Sequence, residues 1–90
     1  MAIRVYVFDD KEEYQKALDV FQTMKKELFL FNVNWTEKKT NEGKIKVYLK
    51  GEVTPELFGA FEEIMEEEGV KYKEGGMIGM LKDVLKRFSR

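Results

Sequence analysis

The seven residues Lys44-Ile45-Lys46-Val47-Tyr48-Leu49-Lys50 alternate without a break between apolar and polar or aromatic side chains. A period of two suits a strand and no helix. Successive side chains on a strand change face, so Ile45, Val47 and Leu49 share one side while Lys44, Lys46, Tyr48 and Lys50 share the other. The chain must therefore build a sheet with one face buried. The opposite face is basic and carries one aromatic ring.

The flanking segments supply partners for that strand. Ile3 to Phe8 alternates too, with Ile3, Val5 and Val7 on one side and Arg4, Tyr6 and Phe8 on the other. Bulk on both faces suits a central position. Asp9-Asp10 stops this strand, and Asp10 with Glu13 has capping-box spacing. Tyr14, Ala17, Leu18, Phe21, Met24 and Leu28 then recur at helical spacing, predicting an amphipathic helix over Lys11–Leu28. Phe29 to Thr36 reads as a second strand, with Phe29, Phe31, Val33 and Trp35 inward. The polar run 37–43 ends in Gly43, as a hairpin loop does, and leads back to the strand at Lys44.

Thr54-Pro55 is an N-cap followed by proline at the first helical position. Leu57, Phe58, Phe61, Ile64 and Met65 line one side of the helix that follows, glutamates line the other, and Gly69 occupies the helix C-terminal position. Val70–Lys73 is a short fourth strand, Gly75-Gly76 a turn, and Met77–Phe88 a third helix. Strand, helix, strand, strand, helix, strand is the order of a ferredoxin-like βαββαβ sandwich, an α+β fold with a four-stranded antiparallel sheet and two helices on one face. Residues 1–74 form this core and 75–90 a C-terminal helix extension, all in one domain. With Ile3, Val5 and Val7 turned inward, the open face is expected to present Arg4, Tyr6, Phe8, Asn32, Asn34, Lys44, Lys46, Tyr48, Lys50, Lys71 and Lys73.

Chemistry is sparsely represented. The chain has no His and no Cys, and its single serine, Ser89, lies in the tail. That leaves poor material for nucleophilic or general acid–base catalysis and none for disulfides or Cys-ligated metal. Gly75, Gly76 and Gly79 make no phosphate-cradle spacing. A metal site or cofactor is not expected. Asp9 at the end of the first strand could hold magnesium in a nuclease, but it reads first as a strand stop beside a helix cap. No apolar run is long enough to span a bilayer, and a cytoplasmic protein is the simplest reading. The net charge of -1 conceals an acidic segment, Glu62–Glu68, followed by a basic C-terminal part.

A basic sheet face with aromatics is the arrangement on which single-stranded nucleic acid stacks. Here the chain resembles the RNA-recognition-motif family. Val5-Tyr6-Val7 matches the family's first-strand aliphatic–aromatic–aliphatic motif. Lys44, Tyr48 and, approximately, Leu49 match the first, fifth and sixth positions of its third-strand motif. Ile45, Lys46, Val47 and Gly51 stand where that motif has glycine, an aromatic, a small residue and an aromatic. The resemblance implies RNA lying across the sheet. Tyr6, Tyr48 and Phe8 would stack on bases, with Arg4, Lys44, Lys46, Lys50, Lys71 and Lys73 at phosphates.

Two other readings of the same residues remain open. The third helix could fold over the sheet, with Met77, Leu81, Leu85 and Phe88 covering Tyr6, Phe8 and Tyr48. Alternatively, that helix and face form a protein-interaction or inhibitor surface, for a partner chain or a homodimer.

Overall fold

Seven elements follow one another: β1 (Ala2–Phe8), α1 (Lys11–Glu27), β2 (Val33–Lys39), β3 (Ile45–Gly51), α2 (Pro55–Glu67), β4 (Lys73–Glu74) and α3 (Gly76–Phe88). The computed structural model describes residues 2–88, without the side chains at 77–80, 82 and 83. The strands form one sheet in the order β2-β3-β1-β4, antiparallel at every pairing. This is the ferredoxin-like arrangement with an added C-terminal helix. α1 and α2 cover one face, and a single core runs between them and the sheet.

Asp10 starts α1 as the spacing predicts, its Oδ1 accepting the Glu13 N–H at 2.9 Å. The Glu13 side chain does not close the capping box. It reaches across the fold instead, Oε1 accepting the Lys71 backbone N–H at 2.8 Å and Oε2 the Lys16 ammonium at 3.0 Å. The Lys71 amide, then the Lys16 ammonium, hold this carboxyl below the usual carboxylate range. One side chain thus fastens the start of α1 to the segment between α2 and β4. Pro55 opens α2 behind Thr54, whose side chain makes no capping hydrogen bond.

The two helices that cover the sheet end alike. In α2, Gly69 takes a left-handed φ of 72° and the Val70 N–H bonds back to the Met65 carbonyl at 2.9 Å. In α1, Phe29 takes φ 53° and the Leu30 N–H bonds to the Lys25 carbonyl at 3.0 Å. This is the six-to-one closure that usually places glycine at the left-handed position. Because α1 stops this way, Leu28 to Asn32 are used in the turn, and β2 begins at Val33 rather than at Phe29. Phe29 and Phe31 were expected inward; they are 72% and 80% exposed. Val33 and Trp35 do face the core, Val33 fully buried. β4 is also shorter and later than its expected span of 70–73.

The largest departure is the facing of β1. Antiparallel partners directly opposite each other point the same way. Tyr6 sits opposite Val47, Phe8 opposite Ile45 and Arg4 opposite Leu49, so all three lie on the helix-covered side. Tyr6 and Phe8 are 0% exposed. Ile3, Val5 and Val7, expected inward, stand on the other face opposite Lys50, Tyr48 and Lys46. The reason is that α2 and β4 supply polar partners on that side. The Tyr6 hydroxyl donates to Glu62 Oε2 at 2.8 Å, and the Arg4 guanidinium lies 3.5 Å from Glu62 and 4.0 Å from Glu74, over the Phe58 ring. A tyrosine can be buried when its hydroxyl finds an acceptor, and an arginine when it is paired. Once these are satisfied, the larger set goes inside. Ring packing completes the layer, with Tyr6 edge-on to Phe61 and Tyr72 at 5.4 and 5.7 Å, and Phe8 edge-on to Tyr14 at 6.1 Å.

Candidate interaction surface

The register defines the open face residue by residue. β1 gives it Ile3, Val5 and Val7; β3 gives Lys46, Tyr48 and Lys50; β2 gives Asn34, Thr36 and Lys38; β4 gives Lys73. Val5 and Thr36 flank Tyr48 on the neighbouring strands, and the Lys46 ammonium lies 5.5 Å from the Tyr48 ring centroid. None of these strand residues is acidic. The face is an apolar strip on β1 beside a cationic strip on β3 and the outer strands.

Of the nine residues expected to bind nucleic acid here, the structure brings four together on this face: Lys46, Tyr48, Lys50 and Lys73. Lys44 lies just before β3, its ammonium 3.6 Å from the Asp9 carboxylate. Lys71 precedes β4, and its backbone N–H is held by Glu13. Tyr6, Phe8 and Arg4 are displaced to the core side, so Tyr48 is the one expected stacking residue left on the open face. The Tyr6 phenol is moreover held neutral. Burial, then the hydrogen bond to the Glu62 carboxylate, push its pKa above the ordinary tyrosine value.

Among the described residues, the side chains of α3 do not seal the face. It starts at Gly76 on the open side of β1. A Cβ on Gly75 would come within 2.9 Å of Val5 Cγ1 and 3.5 Å of Val7 Cγ2, so only glycine fits this close approach. α3 makes contact with β1 and β4. Leu81, Leu85 and Phe88 are 55%, 64% and 83% exposed. Helix α3 therefore does not cover Tyr6 and Phe8, which lie on the far side of the sheet under α1 and α2. The Met77 side chain, the fourth residue assigned to an interaction surface, lies outside the described residues. Lys86 and Arg87 are exposed in the last turn.

Sequence reasoning missed the second exposed apolar group, Leu28, Phe29 and Phe31, at the α1–β2 turn. The Phe29 and Phe31 rings stand 6.2 Å apart. Its sequence signal was the four-residue apolar run itself, which also fits a strand. Among the described residues no group of three or more His, Cys, Asp or Glu converges as a metal site, and no helix is long and apolar enough to cross a membrane. No family model, curated protein or solved structure matches the chain.

Proposed function

We propose that this chain is a non-enzymatic protein-interaction module whose interface is the open sheet face together with α3. The observation that carries this reading is the exposure of Leu81, Leu85 and Phe88 on a helix that starts against Val5 of a sheet face whose central strand presents Ile3, Val5 and Val7. Soluble monomers rarely leave contiguous apolar patches beyond a few hundred Å² uncovered, and larger ones serve as interfaces. Each large apolar side chain fully removed from water there would contribute roughly 1.5–3 kcal/mol before the costs of association.

The reading is tested by selecting binders to the full chain from a displayed library of random peptides. Binders should lose capture in Leu81→Asp and Phe88→Asp, with the unfolding midpoint unchanged. Capture indifferent to both substitutions would refute the assignment.

Tyr48 amid Lys38, Lys46, Lys50 and Lys73 favours one second reading, single-stranded nucleic acid lying on β3. It requires binding to oligouridine that falls steeply as salt rises and is lost in Tyr48→Ala. Binding to the sheet alone would leave the exposed leucines and phenylalanine of α3 without a role. For that reason the protein partner ranks first.

A further inference from the structure

We infer that the occupant of this interface is an acidic amphipathic segment of another protein. The inference rests on the interface reading above and adds the chemistry of the partner. It comes from how charge is distributed around the apolar strip. The strands place Lys38, Lys46, Lys50 and Lys73 on the open face and no carboxylate. α3 adds exposed Lys86 and Arg87 beside exposed Leu85 and Phe88. An apolar centre with a cationic rim is complemented by a chain carrying apolar residues on one side and carboxylates at its edges.

The same charges argue against the alternatives. In a two-fold pairing of this face with itself, each patch meets its own copy. Each lysine-bearing strand then faces a partner surface to which the strands contribute lysines and no carboxylate, and like charges juxtaposed at an interface are costly. The chain's own acidic surface on α2, with Glu63, Glu66, Glu67 and Glu68 exposed, has small residues, Gly59 and Ala60, where it would need large apolar anchors. It is a poor mimic of the partner. A nucleic acid matches the lysines, and its bases can stack on Tyr48 or Phe88, but it has no aliphatic side chains to set against Leu81 and Leu85. An acidic amphipathic helix or strand satisfies both requirements at once.

The test reads the composition of the binders. The displayed random library is selected on the full chain and, in parallel, on Lys50→Glu/Lys73→Glu, both exposed positions whose reversal leaves the core untouched. Expected on the parent chain is enrichment of peptides with net negative charge and periodic large apolar residues. A representative synthetic binder should weaken by on the order of tenfold on the double charge reversal and on raised salt.

Enrichment of neutral or basic peptides, still lost in Phe88→Asp, would overturn the acidic assignment while leaving the interface reading standing. Recovery of no binder, or only of binders indifferent to Phe88→Asp, would overturn both. A sedimentation mass of two chains, abolished by Phe88→Asp, would replace the foreign partner with a second copy. Oligouridine displacing the selected peptides and binding more tightly than any of them would assign the face to nucleic acid.

Discussion

Tyr6→Phe distinguishes a buried β1 ring from an exposed one. The substitution keeps the ring, its edge-on contacts with Phe61 and Tyr72, and its volume, and deletes only the hydroxyl that donates to Glu62 at 2.8 Å. A hydrogen bond to a charged group contributes roughly 1.5–3 kcal/mol. The Arg4 guanidinium remains 3.5 Å from the same carboxylate, so Glu62 is not left bare and the loss belongs in the lower half of that range. At about 2 kcal/mol, a domain of this size should lose roughly 8–16 °C in Tm. Tyr48→Phe, on the open face, should stay within about 0.5 kcal/mol of the parent. Chemical and thermal unfolding of both variants, with a double-mutant cycle against Glu62→Gln, is the assay. The cycle should show a coupling of about 1 kcal/mol or more between positions 6 and 62. Equal, small effects at Tyr6 and Tyr48, or no coupling to Glu62, would refute the placement of Tyr6 beneath α2.

Further outcomes concern the frame around the site. The Glu13 carboxyl is held below its unfolded pKa by Lys71 and Lys16, so its contribution is present above the ordinary carboxylate range. That contribution is lost as pH falls through the lowered folded value. Glu13→Gln should therefore reduce Tm at neutral pH and flatten its decline toward acid; an unchanged acid slope would show that the clamp is not formed. Gly59 lies inside α2 with nothing within 4 Å of a built Cβ, so Gly59→Ala should stabilise by about 0.5–1 kcal/mol in denaturant titrations. Gly69 has equally open space but φ 72°, so Gly69→Ala should destabilise by about 1 kcal/mol through backbone strain alone. At Gly51 an added Cβ would meet the Asn32 carbonyl oxygen at 2.9 Å, and Gly51→Ala should cost about 1–3 kcal/mol in the same titrations.

The order of elements and the inward set of β3 were legible because Ile45, Val47 and Leu49 alternate with residues of plainly different character. β1 offered no such contrast. Both of its faces carry large side chains, and Ile3, Val5 and Val7 are the more hydrophobic triplet. What reverses the facing is Glu62, more than fifty residues away and read along the chain as part of a solvated acidic helix face. A local pattern cannot report a buried acceptor supplied by a distant element. The surface assignment suffered for the same reason: Lys46, Tyr48 and Lys50 were placed by β3 alone, whereas Tyr6, Phe8 and Arg4 depended on the phase of β1. At the α1–β2 turn the difficulty was different. Phe29 occupies a left-handed position that sequence rules reserve for glycine, so the apolar run 28–31 offered no stop signal.

β4 is two residues long and pairs with β1 at Tyr6 and Val7, with one further hydrogen bond from the Gly75 N–H to the Val5 carbonyl. Among the described residues no strand flanks Ala2–Arg4 on that side. β1 is thus an interior strand over its second half and a border strand over its first. Protection of its amides against solvent deuterium should be uneven, with slow exchange around Tyr6–Phe8 grading to faster exchange toward Ala2. Opening from that end would release the N-terminus while the Tyr6–Glu62 tie held the remainder in place.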